Sequence, residues 1–316
     1  MIVRLVSFAA FLVLQGCASL GGGPVCDAPR SASSPPSAGA TLSVISWNVH
    51  GLPFDASLEQ RLDRIAGEIR GRRPDLVLLQ EAWLEADAAR LSCALNADYE
   101  RVPDGAGVRA GVLSLFGHRR GGLLALVRRD SAWQREPLAP RFEEFAAAAP
   151  WYRLEELDGI AGKGVQSFAI GDGARRVVVL NTHLQAQYPS RGNVYQAERA
   201  RPIEQLRAHA AREIQGDVRG DFLLVAGDFN TREDESTHYA ALSGALDDLT
   251  APYRRKCACG TYISREGTES GWIDYVFARR ARGGPIHAQV ERIRNHKRDD
   301  PFSDHHGLWL ELDLAR

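Results

Sequence analysis

The 316-residue sequence has no surplus of charge of either sign: 39 Lys and Arg face 40 Asp and Glu, a formal net charge of −1. A protein that binds nucleic acid nonspecifically carries a positive surplus, so this balance disfavours DNA as a partner while leaving room for a local basic groove. The apolar stretch Leu5 to Leu14 is too short to span a membrane comfortably. Mid-chain there is no Pro/Ser-rich linker and no repeat of fixed period, which argues against a chain of small domains and points to one large domain from about Ala40 onward. Cysteine is scarce. Cys257-Ala258-Cys259 lacks a second closely spaced ligand pair, which speaks against a structural zinc site. What is abundant is ordinary for a globular protein, 44% hydrophobic and 25% charged residues.

The first residues, one positive charge at Arg4 and then the short apolar stretch, follow the pattern of a signal peptide, residues 1–16. It ends in Leu14-Gln15-Gly16-Cys17, which resembles the lipobox of bacterial lipoproteins, with Gln15 an unusual member. That resemblance implies export, lipid on Cys17, and attachment to the outer membrane or cell surface. Residues 17–40, rich in Gly, Pro, Ser and Ala, read as a flexible tether, and 41–316 as the folded domain. Export places Cys26, Cys93, Cys257 and Cys259 in an oxidising compartment where disulfides form, although spacing does not give their pairing.

The stretch Asp221 to Asn230 sets the pattern for the rest. Phe222 to Ala226 is wholly apolar, as in a strand covered on both faces, and it delivers Asp228 and Asn230 at its tip. In extended chain these two point the same way. Thr41 to Asn48 and Asp75 to Glu81 read as strands that also finish on polar residues, and Asn181-Thr182-His183 closes a hairpin of Gly164 to Ile170 with Arg175 to Leu180. Gly122 to Val127, Trp272 to Phe277 and His306 to Leu312 are further strands. The spacing predicts helices over Ser57 to Arg70 with a stop at Gly71, Trp83 to Leu95, and Asn193 to Gln215. Strands and helices alternate in both halves, which favours an α/β sandwich over a purely parallel sheet. Phe142, Phe145, Ala146 to Ala149, Trp151 and Tyr152 read as a helix packed on the sandwich rather than as a membrane-touching surface.

Taken singly, an Asp at a strand end is more often a turn cap and a lone His a packing residue. Asn48, Glu81, His183, Asp228, Asn230, Asp274, Asp304 and His305 all lie at or beside strand ends, and that shared position marks them as a set. His50, His118, His209, His238, His287, His296 and His306 read as packing or solvated residues. The motifs Trp47-Asn48-Val49-His50-Gly51, Gln80-Glu81, Asn181-Thr182-His183-Leu184, Gly227-Asp228-Phe229-Asn230, Ile273-Asp274-Tyr275-Val276 and Ser303-Asp304-His305 resemble the endonuclease/exonuclease/phosphatase superfamily, in the family's order from about residue 41 to 310. The resemblance implies a four-layer α/β/β/α sandwich of two mixed β-sheets flanked by helices, the deoxyribonuclease I-like fold. It also implies Mg²⁺, one ion or two, replaceable by Mn²⁺ or Co²⁺, held by Glu81 with Asn48 beside it and with Asp304 supporting metal or local geometry. A hard cation on oxygen ligands neutralises the charge that repels a nucleophile from a phosphodiester. By resemblance His305, oriented by Asp274, is the base that takes the proton of water, a task suited to an imidazole paired with a carboxylate. His183 binds phosphoryl oxygens or assists the leaving group, and Asp228 and Asn230 position water and stabilise the transition state.

Two stretches bear on the substrate. His183 to Tyr188, followed by Tyr195-Gln196-Ala197-Glu198-Arg199 and Glu204-Gln205-Leu206, resembles the neutral sphingomyelinase pattern after its histidine. Asp158 to Val165 resembles the segment of those enzymes in which a Lys-Gly pair lies near the site with an Asp a few residues ahead. Lys163 would bind substrate phosphate as a point charge and Asp158 would hold it in or out of place. The expectation is a monomeric phosphodiesterase that removes the headgroup of a phospholipid or sphingolipid at a membrane surface. A nuclease of the deoxyribonuclease I type and a non-catalytic surface lipoprotein remain as alternatives.

Overall fold

A computed structural model describes Cys26 and residues 41–52, 55, 57–107, 117–149, 158–188, 195–215, 220–244, 246–264, 266–294 and 302–315. Cys17, the signal and tether segments apart from Cys26, and Trp151 and Tyr152 lie outside them.

Two sheets carry the fold. The first has the strand order β14-β15-β1-β2-β4-β3, with β1 Thr41–Asn48, β2 Leu76–Gln80, β3 Tyr99–Arg101, β4 Leu124–Arg128, β14 His287–Ile293 and β15 Gly307–Asp313. The second has the order β10-β13-β9-β8-β7-β5, with β5 Gln134–Arg135, β7 Gly164–Gly171, β8 Arg176–His183, β9 Phe222–Asp228, β10 Asp247–Asp248 and β13 Asp274–Arg280, and β6 Arg141–Glu144 added to β7. A small ribbon, β11 Tyr262–Ile263 with β12 Glu269–Gly271, forms a separate pair, bonded to the segment before β15 through the Ile263 N–H and the Asp304 carbonyl. Only one pair in each large sheet is parallel, β1 with β2 and β8 with β9; the other pairs are antiparallel, so both sheets are mixed.

The alternation of side chains along each strand explains the layers. Leu42, Val44, Leu76, Leu78, Ala125 and Val127 share one buried cluster with Val177, Val179, Leu224 and Ala226 of the second sheet, which is the seam between the sheets. Their neighbours Ile45, Val77, Leu79, Leu124 and Leu126 face the other way and meet helices α1 (Leu58–Arg72) and α2 (Glu85–Leu95). The first sheet is therefore apolar on both faces, which is why its central strands read as continuous apolar runs. Leu62, Ile65 and Ile69 of α1 have no more than 1% exposure, and each contributes about 1.5–3 kcal/mol by leaving water. Helix α4 (Gln196–Gln215) covers the second sheet through Ile203, Leu206 and Ala210. The remaining helices among the described residues are short: α3 Asp158–Ala161, α5 Ser236–Ser243 and α6 Ala251–Cys257. The result is the helix–sheet–sheet–helix sandwich expected from the sequence.

Some local expectations move. Helix α1 does not stop at Gly71 but runs to Arg72, because the left-handed cap falls on Arg73, whose N–H donates to the Ile69 carbonyl just before Pro74. Phe142 and Phe145 are buried as expected, but on strand β6 and the residue after it rather than on a helix. Trp83 precedes α2 instead of opening it. The cysteines pair Cys26 with Cys93 and Cys257 with Cys259.

Asp87 on α2 is buried, and one of its carboxylate oxygens has no hydrogen-bond partner among the described residues. Burial, with Glu59 adding repulsion, pushes its pKa up to about 6. A carboxyl group whose folded pKa is raised binds its proton more tightly in the native state. Stability therefore falls as pH rises from about 4 to 6 and the penalty is complete above that window. Asp87→Asn is expected to raise stability above pH 6 by about 2 kcal/mol and to flatten this slope, measured by urea unfolding between pH 4 and 8.

Candidate active site

The inner-facing rows of the strands end in polar groups at one edge of the seam. Leu42, Val44 and Ser46 lead to Asn48; Leu76 and Leu78 lead to Gln80; Val177 and Val179 lead to Asn181 and His183; Leu224 and Ala226 lead to Asp228. Parallel register puts His183 beside Asp228, and antiparallel register puts Asp274 on the other side of Asp228. A bond across the seam, from the Gln80 amide to Asn181 Oδ1 at 2.9 Å, fixes how the two sheets slide on one another. Gly227 makes the close β8–β9 approach possible. At its φ of 149° an added Cβ would lie 1.9 Å from the Thr182 carbonyl oxygen.

Asn48 is the junction. Its Nδ2 donates to Glu81 Oε1 and to Asp228 Oδ2, each at 2.9 Å, while its Oδ1 accepts the His50 N–H. Glu81 reaches this place in left-handed backbone, φ 63°, and its other oxygen accepts the Trp83 indole N–H at 3.3 Å. His50, also left-handed at φ 49°, donates to Asp304 Oδ2 at 3.0 Å and stands 3.9 Å from Glu81. Left-handed backbone at non-glycine residues costs energy and concentrates at functional sites. Asn230 is the third case here, at φ 47°. The chain past Asp228 is thus not extended, and Asn230 turns its backbone N–H to Asp228 Oδ1 and its side-chain amide to the Leu184 carbonyl.

The two histidines that flank Asp228 are held in opposite states. His305 Nδ1 donates to Asp274 Oδ2 at 2.8 Å, and its Nε2 faces Asp228 at 3.7 Å and Asp304 at 3.9 Å. Burial opposes its charge, but Asp274 and Asp228 prevail and hold its pKa well above the ordinary value. His183 has the reverse surroundings. Burial first, then the Lys163 ammonium and His305, keep its pKa well below the ordinary value, so the ring is neutral. Its Nε2 accepts from Lys163 Nζ at 2.8 Å and lies 3.4 Å from Asp228, while Nδ1 is buried with no partner among the described residues. Asp228 between them is pushed up to about 7, by burial above all, with His305 opposing. Lys163 itself is buried, ion-paired to Asp158 at 2.8 Å, and donates to the Leu184 carbonyl. Asp158 is fixed by Gln185 Nε2 at 2.6 Å and the Ala186 N–H at 2.8 Å.

This crest belongs to a recognisable lineage. The profile of the Endonuclease/Exonuclease/phosphatase family matches residues 45–305. The chain belongs to that family. Among named relatives, it is 26% identical over 294 residues to a Drosophila melanogaster protein whose name assigns it to the neutral sphingomyelinases. That match covers 87% of this chain and 61% of the length of the fly protein. Two solved structures share the fold. Sphingomyelinase C from Streptomyces griseocarneus superposes with a TM-score of 0.60 at 21% identity, covering 86% of this chain and 99% of the other. TDP2 from D. rerio, complexed with a single-strand DNA product, superposes with a TM-score of 0.64 at 19% identity, covering 86% and 98%.

Endonuclease/exonuclease/phosphatase membership makes a divalent metal the first question for the crest. Among the described residues, two groups bring their potential ligand atoms within 4.8 Å of one another, Glu81 with His183 and Asp228, and Asp228 with Asp274 and His305. The first fits a hard divalent cation, since carboxylate oxygens from two strands already converge on the single amide of Asn48. The structure thus gathers Asn48, Glu81, Asp158, Lys163, His183, Asp228, Asn230, Asp274, Asp304 and His305 at one edge.

Sequence reasoning passed over several residues that build this edge. His50, read as a packing or solvated residue, contacts Asp304. Arg61 of α1, buried, donates to the carbonyls of Val49, His50 and Phe302 and so ties the ends of the chain together beneath the site. Ser303 Oγ donates to the Asn48 carbonyl and accepts the His305 N–H, and the Trp47 indole donates to the His305 carbonyl. Thr261, fully buried, accepts the N–H groups of Ile273 and Asp274 on its hydroxyl, just beyond the Cys257–Cys259 loop. For His50, Trp47 and Ser303 the sequence signal was a place inside a motif; for Arg61 and Thr261 there was none. Thr261→Val keeps the shape but leaves those two N–H groups without an acceptor. It is expected to cost about 1–3 kcal/mol, read from the urea midpoint at unchanged slope.

Proposed function

We propose that this protein is a Mg²⁺-dependent phosphodiesterase that releases the headgroup of a phospholipid or sphingolipid, in the manner of a neutral sphingomyelinase. The observation that carries this reading is the buried Lys163 ammonium, paired with Asp158 and bonded to His183 at the crest. A buried ammonium beside the catalytic carboxylates is a compact contact that suits one phosphate, whereas a nuclease draws a long polyanion into a groove lined with many cations. The near-zero net charge supports the same choice, as does the naming of the fly relative. The nuclease alternative draws its support from the TDP2 complex, whose likeness is one of fold.

In this reading Glu81 is the principal metal ligand, with Asn48, Asp228 and Asp304 around it, and Mn²⁺ or Co²⁺ can stand in for Mg²⁺. When bound, the ion supplies positive charge that neutralises the phosphodiester and offsets the carboxylates holding the proton on His305. The chain's own groups do the rest. Water bonds to phosphorus as the bond from phosphorus to the lipid oxygen breaks. Its proton passes to His305 Nε2, which Asp274 orients from the far side of the ring. Asp228 directs the water, and the Asn230 amide donates to the phosphoryl oxygens as their charge grows. Lys163 exchanges its bond to Asp158 for one to a phosphoryl oxygen, with neutral His183 beside it, and the departing lipid oxygen takes a proton from the Lys163 ammonium, which water then restores.

We further propose that the protein acts as a monomer and is exported and anchored through lipid on Cys17. No helix among the described residues is long and apolar enough to cross a membrane. The Cys26–Cys93 and Cys257–Cys259 disulfides suit an oxidising compartment.

The test is incubation of the purified protein with MgCl₂ and, separately, sphingomyelin vesicles, phosphatidylcholine vesicles and plasmid DNA. Phosphocholine release is expected from sphingomyelin, falling on the order of 1,000-fold in Glu81→Ala. Nicked plasmid with intact lipid would replace the lipid reading with the nuclease one.

A further inference from the structure

Arg199 stands in none of the roles assigned above, although it is among the most enclosed charges of the chain, with 3% exposure. It lies on the first turn of α4, and its guanidinium crosses to the loop that follows β9. One edge forms a two-pronged ion pair with Glu235, in which Nη2 meets Oε1 at 3.0 Å. The same Nη2 donates to the Asn230 carbonyl at 2.7 Å. Glu235 is held in turn by the Arg232 N–H at 3.0 Å, so the turn from Asn230 to Glu235 closes around the guanidinium.

The grip falls on a residue in left-handed backbone. Asn230 is left-handed at φ 47°, and the peptide plane that carries its carbonyl is set by Arg199. The residue's other groups are also engaged: the N–H meets Asp228 Oδ1 at 2.8 Å, and the side-chain Nδ2 meets the Leu184 carbonyl at 3.1 Å. Lys163 donates to that same carbonyl at 3.0 Å. Arg199 is therefore one link from Asp228 and two from Lys163 without touching either. Only a planar fork engages a carboxylate with two prongs and a carbonyl at once; a lysine ammonium offers a point charge without that geometry.

We propose that Arg199, locked by Glu235, is a positioning residue that holds Asn230 in left-handed backbone so that its amide is in place when phosphoryl charge develops. The proposal rests on the phosphodiesterase reading for its kinetic consequence, and on geometry alone for the position of Asn230. A misplaced catalytic group lowers the rate of the chemical step more than it lowers binding.

The test compares wild type, Arg199→Lys, Glu235→Gln, Asn230→Ala and the double variant Arg199→Lys/Asn230→Ala. The probe is p-nitrophenylphosphocholine with MgCl₂, at a temperature where circular dichroism finds every variant folded. Arg199→Lys and Glu235→Gln are expected to lower kcat by about 10- to 100-fold with KM changed less than about twofold. In the Asn230→Ala background the Arg199 change should add less than about a twofold loss, because the group it positions is gone. Equal losses in both backgrounds would overturn the proposal and leave Arg199 a packing residue. If wild type does not turn the probe over, the phosphodiesterase reading fails by itself. The Asn230 side-chain NH₂ resonance, assigned by its loss in Asn230→Ala, then decides: displacement in both Arg199→Lys and Glu235→Gln upholds the positioning role, and an unmoved signal refutes it.

Discussion

One amide nitrogen, Nδ2 of Asn48, holds together groups delivered by two different sheets. It donates at once to Glu81 from the first sheet and to Asp228 from the second. Two carboxylates that close would repel if nothing stood between them. The amide can occupy that place only because the sheets are locked in register, through the Gln80–Asn181 bond below it and the bare Gly227 backbone beside Thr182. Packing of the seam and placement of the chemistry are therefore one problem. The apolar rows that fill the core are the same rows whose next inward positions carry the functional side chains.

Electrostatics then divides labour within a small buried volume. His183 and His305 flank Asp228 at 3.4 and 3.7 Å, yet their other neighbours differ. A lysine faces one, two carboxylates face the other, and burial amplifies both effects by removing the water that would screen them. One imidazole is kept neutral and the other cationic. Two like side chains acquire distinct capacities for proton transfer without any difference in their own chemistry. Three left-handed residues, His50, Glu81 and Asn230, surround this arrangement, and each is tied through its backbone or side chain to a neighbouring residue of the crest. Arg61 beneath the first sheet and Arg199 beside the second grip the carbonyls of two of them, His50 and Asn230.

Much of this was legible in the sequence, for a physical reason. Central strands buried on both faces are written as apolar runs, and a polar residue at the end of such a run stands out; β1, β2, β8 and β9 declared themselves in this way. Edge strands did not. Strand β14 alternates exposed and half-buried positions, and β6 carries Arg141 and Glu143 beside Phe142, so neither offers a run to recognise. The chemistry-bearing residues were legible because their types are dictated by what they do. Their supports were not, since Thr261, Ser303, Arg61 and Arg199 act through backbone carbonyls and N–H groups brought near only by the fold. The extended chain expected at Asp228 and Asn230 failed for a related reason: the left-handed turn at Asn230 is imposed from outside, by Arg199.

The central claim is that the two sheets converge to build a divalent-cation site on Glu81 and Asp228. Calorimetric titration of the purified protein with MnCl₂ tests it most directly, comparing wild type with Glu81→Gln, Asp228→Asn and Lys163→Met. The account predicts binding in wild type and Lys163→Met, and its loss in Glu81→Gln and Asp228→Asn. Equal binding in all four, or none in wild type, would contradict it.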